Sequence, residues 1–445
     1  MKKKFMKLST VSAMTSIALL AAPMMNVYAQ VTVQGTTATF DKYLVMEKNA
    51  NVPNATFDFT VSTPTEDEMN SVANPTNTHL TVRKGIGAPT ASSTTFAPGD
   101  ETFSSKQRTR TATSSTSATD LQEDQVEGLT ATKKYAKKTS TVDFSNVTFS
   151  EPGVYRYKVT ENATTEKGVT TDTNPRYLDV YVASDENGTL SIQGYVLHTA
   201  NENPAQVGTN PANKNKGFTN TYTTSDLTLT KTVTGNQGFR DQYFKFTVTV
   251  SNLDANARLF VTDNNGNKVY KSTDTVAYSY NADNGTRTDG QKRFVATAGS
   301  FEDITTGTSD DMKGLALNAN DQGLATFDVY LKNGETVKLN GLTADAKYTI
   351  TETSEDYNAT AKKDNNGLTL THNDQNHTDA IAEQTLTDND EITFINNREG
   401  VVPTGLFHNN RTQLTIGGIA LASAAIAIVV TKRRKHNEAK LENHE

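Results

Sequence analysis

The chain has 445 residues, a formal net charge of -7, and neither Cys nor Trp. Mild acidity with no basic face gives a nucleic-acid partner nothing to hold, and the lack of Cys excludes thiol nucleophiles and disulfides. If such a chain is exported, covalent bracing has to come from other chemistry.

Residues 1–29, "MKKKFMKLSTVSAMTSIALLAAPMMNVYA", run from a basic start through an apolar stretch to small residues. This is the pattern of a secretory signal peptide, with the cut expected after Ala29. With it and the C-terminal region set aside, about 375 residues remain, more than one domain by length.

Downstream, the segments "ATFDFTVS", "GVYRYKVTE", "YLDVYVAS", "FKFTVTVS" and "KYTITETS" alternate apolar and polar residues and are rich in Val, Thr, Tyr and Phe. Period two with these side chains predicts β-strands, and "DENG" and two copies of "DNNG" supply tight turns. No long helical period appears, so the class is all-β, as two tandem immunoglobulin-like sandwiches. Thr90 to Asp124 is Ser/Thr-rich and poor in large apolar residues, which predicts a long exposed insertion. The basic cluster "TKKYAKK", Thr132 to Lys138, reads as a solvated strand or loop face.

A repeat emerges when the segments are set in order. The first copy runs "FDKYLVMEKN", "FSEPGVYRYKVTE", "NKGFTNTYTT"; the second runs "LTLTKTVTGN", "LTADAKYTITE", "EITFINNRE". Each places a Lys on its first strand, a Glu after a Tyr-x-hydrophobic-x step, and an Asn two residues after a Phe on its last strand. These are Lys42, Glu161 and Asn220, then Lys231, Glu352 and Asn396. Lys48 competes with Lys42 as the first-strand lysine. The domains are expected at 30–225 and 226–400.

Buried together, a Lys and a Glu would each move toward neutrality, the amine falling in pKa and the carboxyl rising. A neutral amine is a nucleophile, and a protonated carboxyl bonded to the Asn carboxamide would make its carbon more electrophilic. The expected product is a Lys-Asn isopeptide bond with release of ammonia. Strand parity places Phe57, Phe59 and Tyr157 around the first cluster and Phe244, Phe246 and Tyr348 around the second.

Near the C-terminus, "VVPTG" is followed by the apolar run Leu414 to Val430 and then by Lys432, Arg433, Arg434 and Lys435. The run is long enough for a short membrane span of about 17 residues, and the basic cluster reads as its cytoplasmic stop. These three parts in order resemble the cell-wall sorting signal of Gram-positive surface proteins, in the Val-Pro-Thr-Gly form found in pilins. The resemblance implies that a pilin-specific sortase cuts between Thr404 and Gly405 and transfers the Thr404 carbonyl to an amine.

Taken with "DKYLVMEKNANVPNATFDFTV", "EPGVYRYKVTE" and "LTLTKTVTGN", the chain resembles the two-domain major (backbone) pilins of Gram-positive bacteria, of the streptococcal T-antigen type. That resemblance implies self-formed bonds Lys42–Asn220 and Lys231–Asn396, with Glu161 and Glu352 as catalysts of bond formation only. It also implies an acceptor lysine just before the last strand of the first domain, which here is Lys214, with Lys216 as the alternative. Identical subunits would then join head to tail into a fimbrium anchored at the cell wall and supporting adhesion. Minor pilins and peptidoglycan are the further partners it admits. A monomeric wall-anchored adhesin would use the same sorting signal and is the competing reading.

Enzymatic readings lack their residues. Neither Gly-x-Ser-x-Gly nor a Gly-x-x-x-x-Gly-Lys-Ser/Thr loop occurs, and His372 and His377 in "THNDQNHTD" offer at best a weak metal site. No metal or cofactor is expected.

Overall fold

The structure is a computed structural model that describes residues 36–70, 82–100, 102–104, 126–199, 201, 217–281, 286–307 and 312–401. The expected signal peptide, Lys214, Lys216, Thr404, Gly405 and the apolar run 414–430 lie outside the described residues. The described chain is almost entirely β, with one short α-helix at Glu66–Asn70.

Among the described residues, no strand pairing crosses from residues before Thr223 to residues after Thr224. In the first half, one sheet runs in the order Val169–Thr170, Phe218–Tyr222, Thr37–Glu47, Lys133–Asp143, Thr90–Ala91. The facing sheet runs Leu190–His198, Arg176–Ser184, Gly153–Glu161, Phe59–Ser62. In the second half, Ser225–Thr234 lies between Thr336–Leu342 and Asp390–Asn397, opposite a sheet built around Phe244–Ser251 and Lys347–Thr353.

Period-two sequence becomes period-two burial. Phe244–Ser251 alternates buried and half-buried residues along its whole length, so one face packs inward and the other meets solvent. Each half has its own apolar core. In the first, Phe59 packs against Phe40 and Phe218 with ring centroids 4.8 and 5.2 Å away, tying the two sheets together.

In each half the first strand lies parallel to the last. Thr37–Glu47 pairs with Phe218–Tyr222, and Ser225–Thr234 pairs with Asp390–Asn397. Gly217 makes the first pairing possible, since a Cβ there would sit 1.7 Å from the Asp41 carbonyl oxygen. Only Gly allows the backbones to come this close.

The halves also touch directly. Asn54 Nδ2 donates to the Ala255 carbonyl at 2.7 Å, and Lys167 Nζ donates to the Asn252 carbonyl at 2.9 Å.

Two sequence expectations change here. The Ser/Thr-rich stretch is not wholly an exposed insertion: Thr94–Phe96 forms a strand, and Phe96 is buried against Phe57. One aromatic residue in a polar stretch suffices to pin it to the core. The basic cluster is likewise not all solvated, because Lys134 is buried with its amine 5.6 Å from the ring of Phe260 in the other half.

Candidate functional site: two buried Lys–Glu–Asn clusters

Strand register decides which side chains meet. In the first half Leu44 is the register partner of Asn220, and in the second Val233 is the partner of Asn396. Lys42 and Lys231 each precede that partner by one alternation, so both lysines share the inward face with their asparagine. The glutamates come from the opposite sheet at matching positions, Glu161 beside Phe59 and Glu352 beside Phe246. The doubled sequence pattern is therefore a doubled register pattern.

All six side chains are buried, that of Glu161 fully so although the residue as a whole is 8 % exposed. In the first cluster Lys42 Nζ lies 2.6 Å from Glu161 Oε2, and Asn220 Nδ2 donates to Glu161 Oε1 at 2.5 Å. The two oxygens of one carboxyl thus bridge the amine and the carboxamide nitrogen. In the second cluster a single oxygen does both: Glu352 Oε1 lies 2.5 Å from Lys231 Nζ, without hydrogen-bond alignment, and accepts from Asn396 Nδ2 at 3.0 Å.

Aromatic rings dry both sites. The Lys42 amine sits 4.5 Å from the centre of the Phe57 ring, and Lys231 sits 4.4 Å from Phe244 and 5.8 Å from Phe246. Tyr157 and Tyr348 are buried as well, but their hydroxyls serve other partners, the Ile86 carbonyl and the Asp390 carboxylate. Lys48 lies beyond the end of the first strand and is half-buried, so Lys42 alone enters the first cluster.

Burial sets the protonation. It lowers Lys42 to about 8 against the opposing pull of Glu161, and lowers Lys231 to about 8 against Glu352. It raises Glu161, and raises Glu352 to about 7. Each pair is pushed toward a neutral amine beside a protonated carboxyl, because an apolar surround favours the uncharged form of both. A neutral amine, a carboxamide and a proton-carrying carboxyl in one dry pocket can carry out amide exchange.

One expectation needs correcting. The sequence pattern predicts a carboxyl bonded to the carboxamide so as to activate its carbon, yet in both clusters the bond is to the carboxamide nitrogen. In the first half the carboxamide oxygen is already taken, since Asn220 Oδ1 accepts from the Asp172 backbone N–H at 2.8 Å. In the second, Asn396 Oδ1 is buried and has no hydrogen-bond partner.

Sequence reading missed the groups around the triads. Asp172 and Arg176 form a buried ion pair at 2.5 Å beside the first cluster. Asp379, the register partner of Glu352, stands beside the second and is held by His372 Nδ1 at 2.9 Å and by Ser354 Oγ. Neither acid carries a repeat signature, because they sit on non-equivalent segments. From sequence alone His372 reads as at best a weak metal ligand.

Comparison with known proteins bears on both halves. Residues 38–223 match the family described as the Spy0128-like isopeptide containing domain. Residues 225–398 match a family described only as a domain of unknown function. A curated protein called Pilin, from Streptococcus pyogenes serotype M1, is 26 % identical over 292 residues, covering 64 % of this chain and 70 % of the relative. Similar solved structures include the major pilin of S. pyogenes, at 22 % identity, TM-score 0.44, and coverage of 83 % of this chain and 100 % of that one. Another is the S. pyogenes major pilin protein T3.2, at 19 % identity, TM-score 0.47, and coverage of 82 % and 99 %.

Proposed function

We propose that this chain, a pilin of the streptococcal major type whose first half belongs to the Spy0128-like isopeptide domain family, is the shaft subunit of a covalent pilus on a Gram-positive cell surface. The observation that carries the reading is the pair of buried Lys–Glu–Asn clusters at equivalent register positions. In this reading the protein is structural rather than enzymatic. Its units are a signal peptide at 1–29, domains at 30–225 and 226–400, and a sorting region at 401–445.

Each cluster is arranged for one intramolecular reaction. The Lys amine attacks Cγ of the Asn carboxamide, a C–N bond forms, the Cγ–Nδ2 bond breaks and ammonia leaves. Glu161 touches both nitrogens through its two oxygens, so it can take a proton from the attacking amine and return one to the departing nitrogen. Glu352 serves the same role through one oxygen. Lys42–Asn220 and Lys231–Asn396 are the bonds proposed.

The position of these bonds suits load-bearing. Tension that enters a half at its first strand and leaves at its last would otherwise shear the hydrogen-bond ladder between two parallel neighbours. A covalent link between those strands carries the force instead. The two residues between Tyr222 and Ser225 pass it to the next half.

Polymerisation in this reading uses the C-terminal motif. A pilin-specific sortase cleaves between Thr404 and Gly405 and joins Thr404 to Lys214, or to Lys216, of an identical subunit. Tail-to-body joining does not close on itself and so builds a fibre, which is anchored to the cell wall and to which minor pilins can be added. An immunoblot of the cell-wall extract, boiled in SDS with reductant, tests this. The expected result is a ladder of high-mass bands that disappears with Lys214→Ala or Lys216→Ala. A single band at the mass of one mature chain would instead identify a monomeric wall-anchored adhesin.

A further inference from the structure

The bond reaction at Asn220 passes through a tetrahedral carbon whose oxygen gains negative charge, and that oxygen already has a donor. Asn220 Oδ1 accepts from the Asp172 N–H at 2.8 Å, so a backbone donor already faces the oxygen on which negative charge would develop. The donor belongs to Asp172, whose own side chain is fixed from three directions. Its carboxylate accepts from the Asn174 N–H at 3.1 Å, from the Thr219 N–H at 3.2 Å and from Arg176 Nη2 at 2.5 Å. Thr219 is the residue before Asn220, so the segment bearing the donor is bolted to the strand bearing the acceptor.

Arg176 completes the clamp. Its guanidinium also donates to the Gly217 carbonyl at 3.1 Å through Nε and 2.8 Å through Nη2, and to the Asn174 carbonyl at 2.7 Å. It lies 4.7 Å from the centre of the Phe218 ring. Arg176 is 3 % exposed and Asp172 is 8 % exposed. Burying an ion pair here is costly unless its hydrogen bonds are satisfied, and these are satisfied by the chain segments that flank Asn220.

We propose that the Asp172 backbone N–H is the oxyanion donor for isopeptide formation at Asn220, with the Asp172 carboxylate and Arg176 as its positioning residues. The inference rests on the proposed Lys42–Asn220 bond and adds its electrophilic half. Glu161 handles protons on the nitrogen side, and the Asp172 amide stabilises charge on the oxygen side. The second cluster has no counterpart, since Asn396 Oδ1 lacks a hydrogen-bond partner. It is therefore a built-in control.

The test is a time course of bond formation in the full chain made by cell-free translation. Intact mass reports one ammonia lost per bond, and peptide mapping assigns each cross-link. A backbone ester at residue 172, introduced as the α-hydroxy acid of Asp, deletes the N–H and keeps the side chain. The first bond should slow by about a hundredfold, the scale of losing one oxyanion donor, while the Lys231–Asn396 bond keeps its parental rate. The pH profile of the slowed reaction should keep its shape, because the titrating pair is untouched. A first bond that forms at the parental rate in the ester chain overturns the proposal, as does a shifted pH optimum, which would mean that the N–H only places Asn220 against Glu161. Should the ester chain fail to fold, Arg176→Lys is the second variant. It keeps the charge but loses the fork, and should slow the first bond alone; an unchanged rate there also counts against the clamp. A parent chain that never cross-links at Asn220 would be a different failure, that of the bond itself.

Discussion

The two clusters share a register and differ in how completely their polar groups are satisfied. In the first, the Glu161 carboxyl bridges both nitrogens and the Asn220 oxygen is held by a backbone amide. In the second, Glu352 Oε2 and Asn396 Oδ1 are buried without a hydrogen bond, while Lys231 Nζ is paired with Glu352 Oε1 at 2.5 Å. Leaving such groups unpaired costs about 1–3 kcal/mol each. The first cluster is thus equipped to lower the barrier of amide exchange. In the second, the exchange would convert the buried, titratable amine and the carboxamide into one uncharged amide and expel ammonia.

The largest expected effects come from removing the glutamates. Glu161→Ala and Glu352→Ala should each leave one bond unformed, which intact mass reads as one retained ammonia. Each lost bond opens a loop of well over a hundred residues, worth about 5 kcal/mol by the loop-entropy relation for cross-links. Calorimetry should show a lower melting temperature for the affected half, by about 10–20 °C. A double variant that melts like the parent would sink both bonds together.

Gly217→Ala should separate the halves more sharply. A methyl group 1.7 Å from the Asp41 carbonyl oxygen forces the last strand away from the first. Most molecules should then lack the Lys42–Asn220 bond while keeping Lys231–Asn396, and limited trypsin digestion should cut the first half selectively. Equal protease survival of the two halves would show that the strand pairing tolerates the displacement.

The pH dependence of the second bond follows from its protonation. The reactive pair holds one proton, on the carboxyl, while the amine is neutral. With Glu352 near 7 and Lys231 near 8, that state is most populated between pH 7 and 8, and the rate should form a bell with limbs on either side. Stability of the unbonded Asn396→Ala variant should run the opposite way. Glu352 is raised in the fold, so its contribution is lost as pH rises toward about 7; Lys231 is lowered, so its contribution returns as pH rises past about 8. Denaturant titrations should place a stability minimum between the two, absent when Lys231 and Glu352 are both replaced by Met.

The smallest effect is expected at His372. Its pKa is raised mainly by its hydrogen bond to Asp379, whose charge adds a small upward pull on Glu352, itself raised chiefly by burial, and opposes the lowering of Lys231 by burial. His372→Gln removes a ring nitrogen that bonds Asp379, so the optimum of the second bond should move slightly while the first stays in place. Because His372 is half-exposed, solvent screening keeps the shift small.

Much of this fold could be read from local pattern. Strands such as Phe244–Ser251 and Gly153–Glu161 carry period-two alternation strong enough to be recognised without any partner. The repeat paired Lys42 with Lys231, Glu161 with Glu352 and Asn220 with Asn396, because equivalent strands keep their polar exceptions at equivalent positions. Local reading went astray where one residue outweighed its neighbourhood. Phe96 draws a polar stretch into the core, and Lys134 leaves a basic run to lie against Phe260.

The sequence by itself determined the β class, the doubled pattern and the three residue types that recur in it, since alternation and repetition are properties of the chain alone. Only the tertiary structure decided that Lys42 faces Phe57, that one carboxyl spans two nitrogens in the first half but uses a single oxygen in the second, and that Asp172 rather than Glu161 holds the Asn220 oxygen. Those are distances between segments far apart in the chain. They are set by how two sheets face each other and how parallel first and last strands register, and no local spacing encodes either.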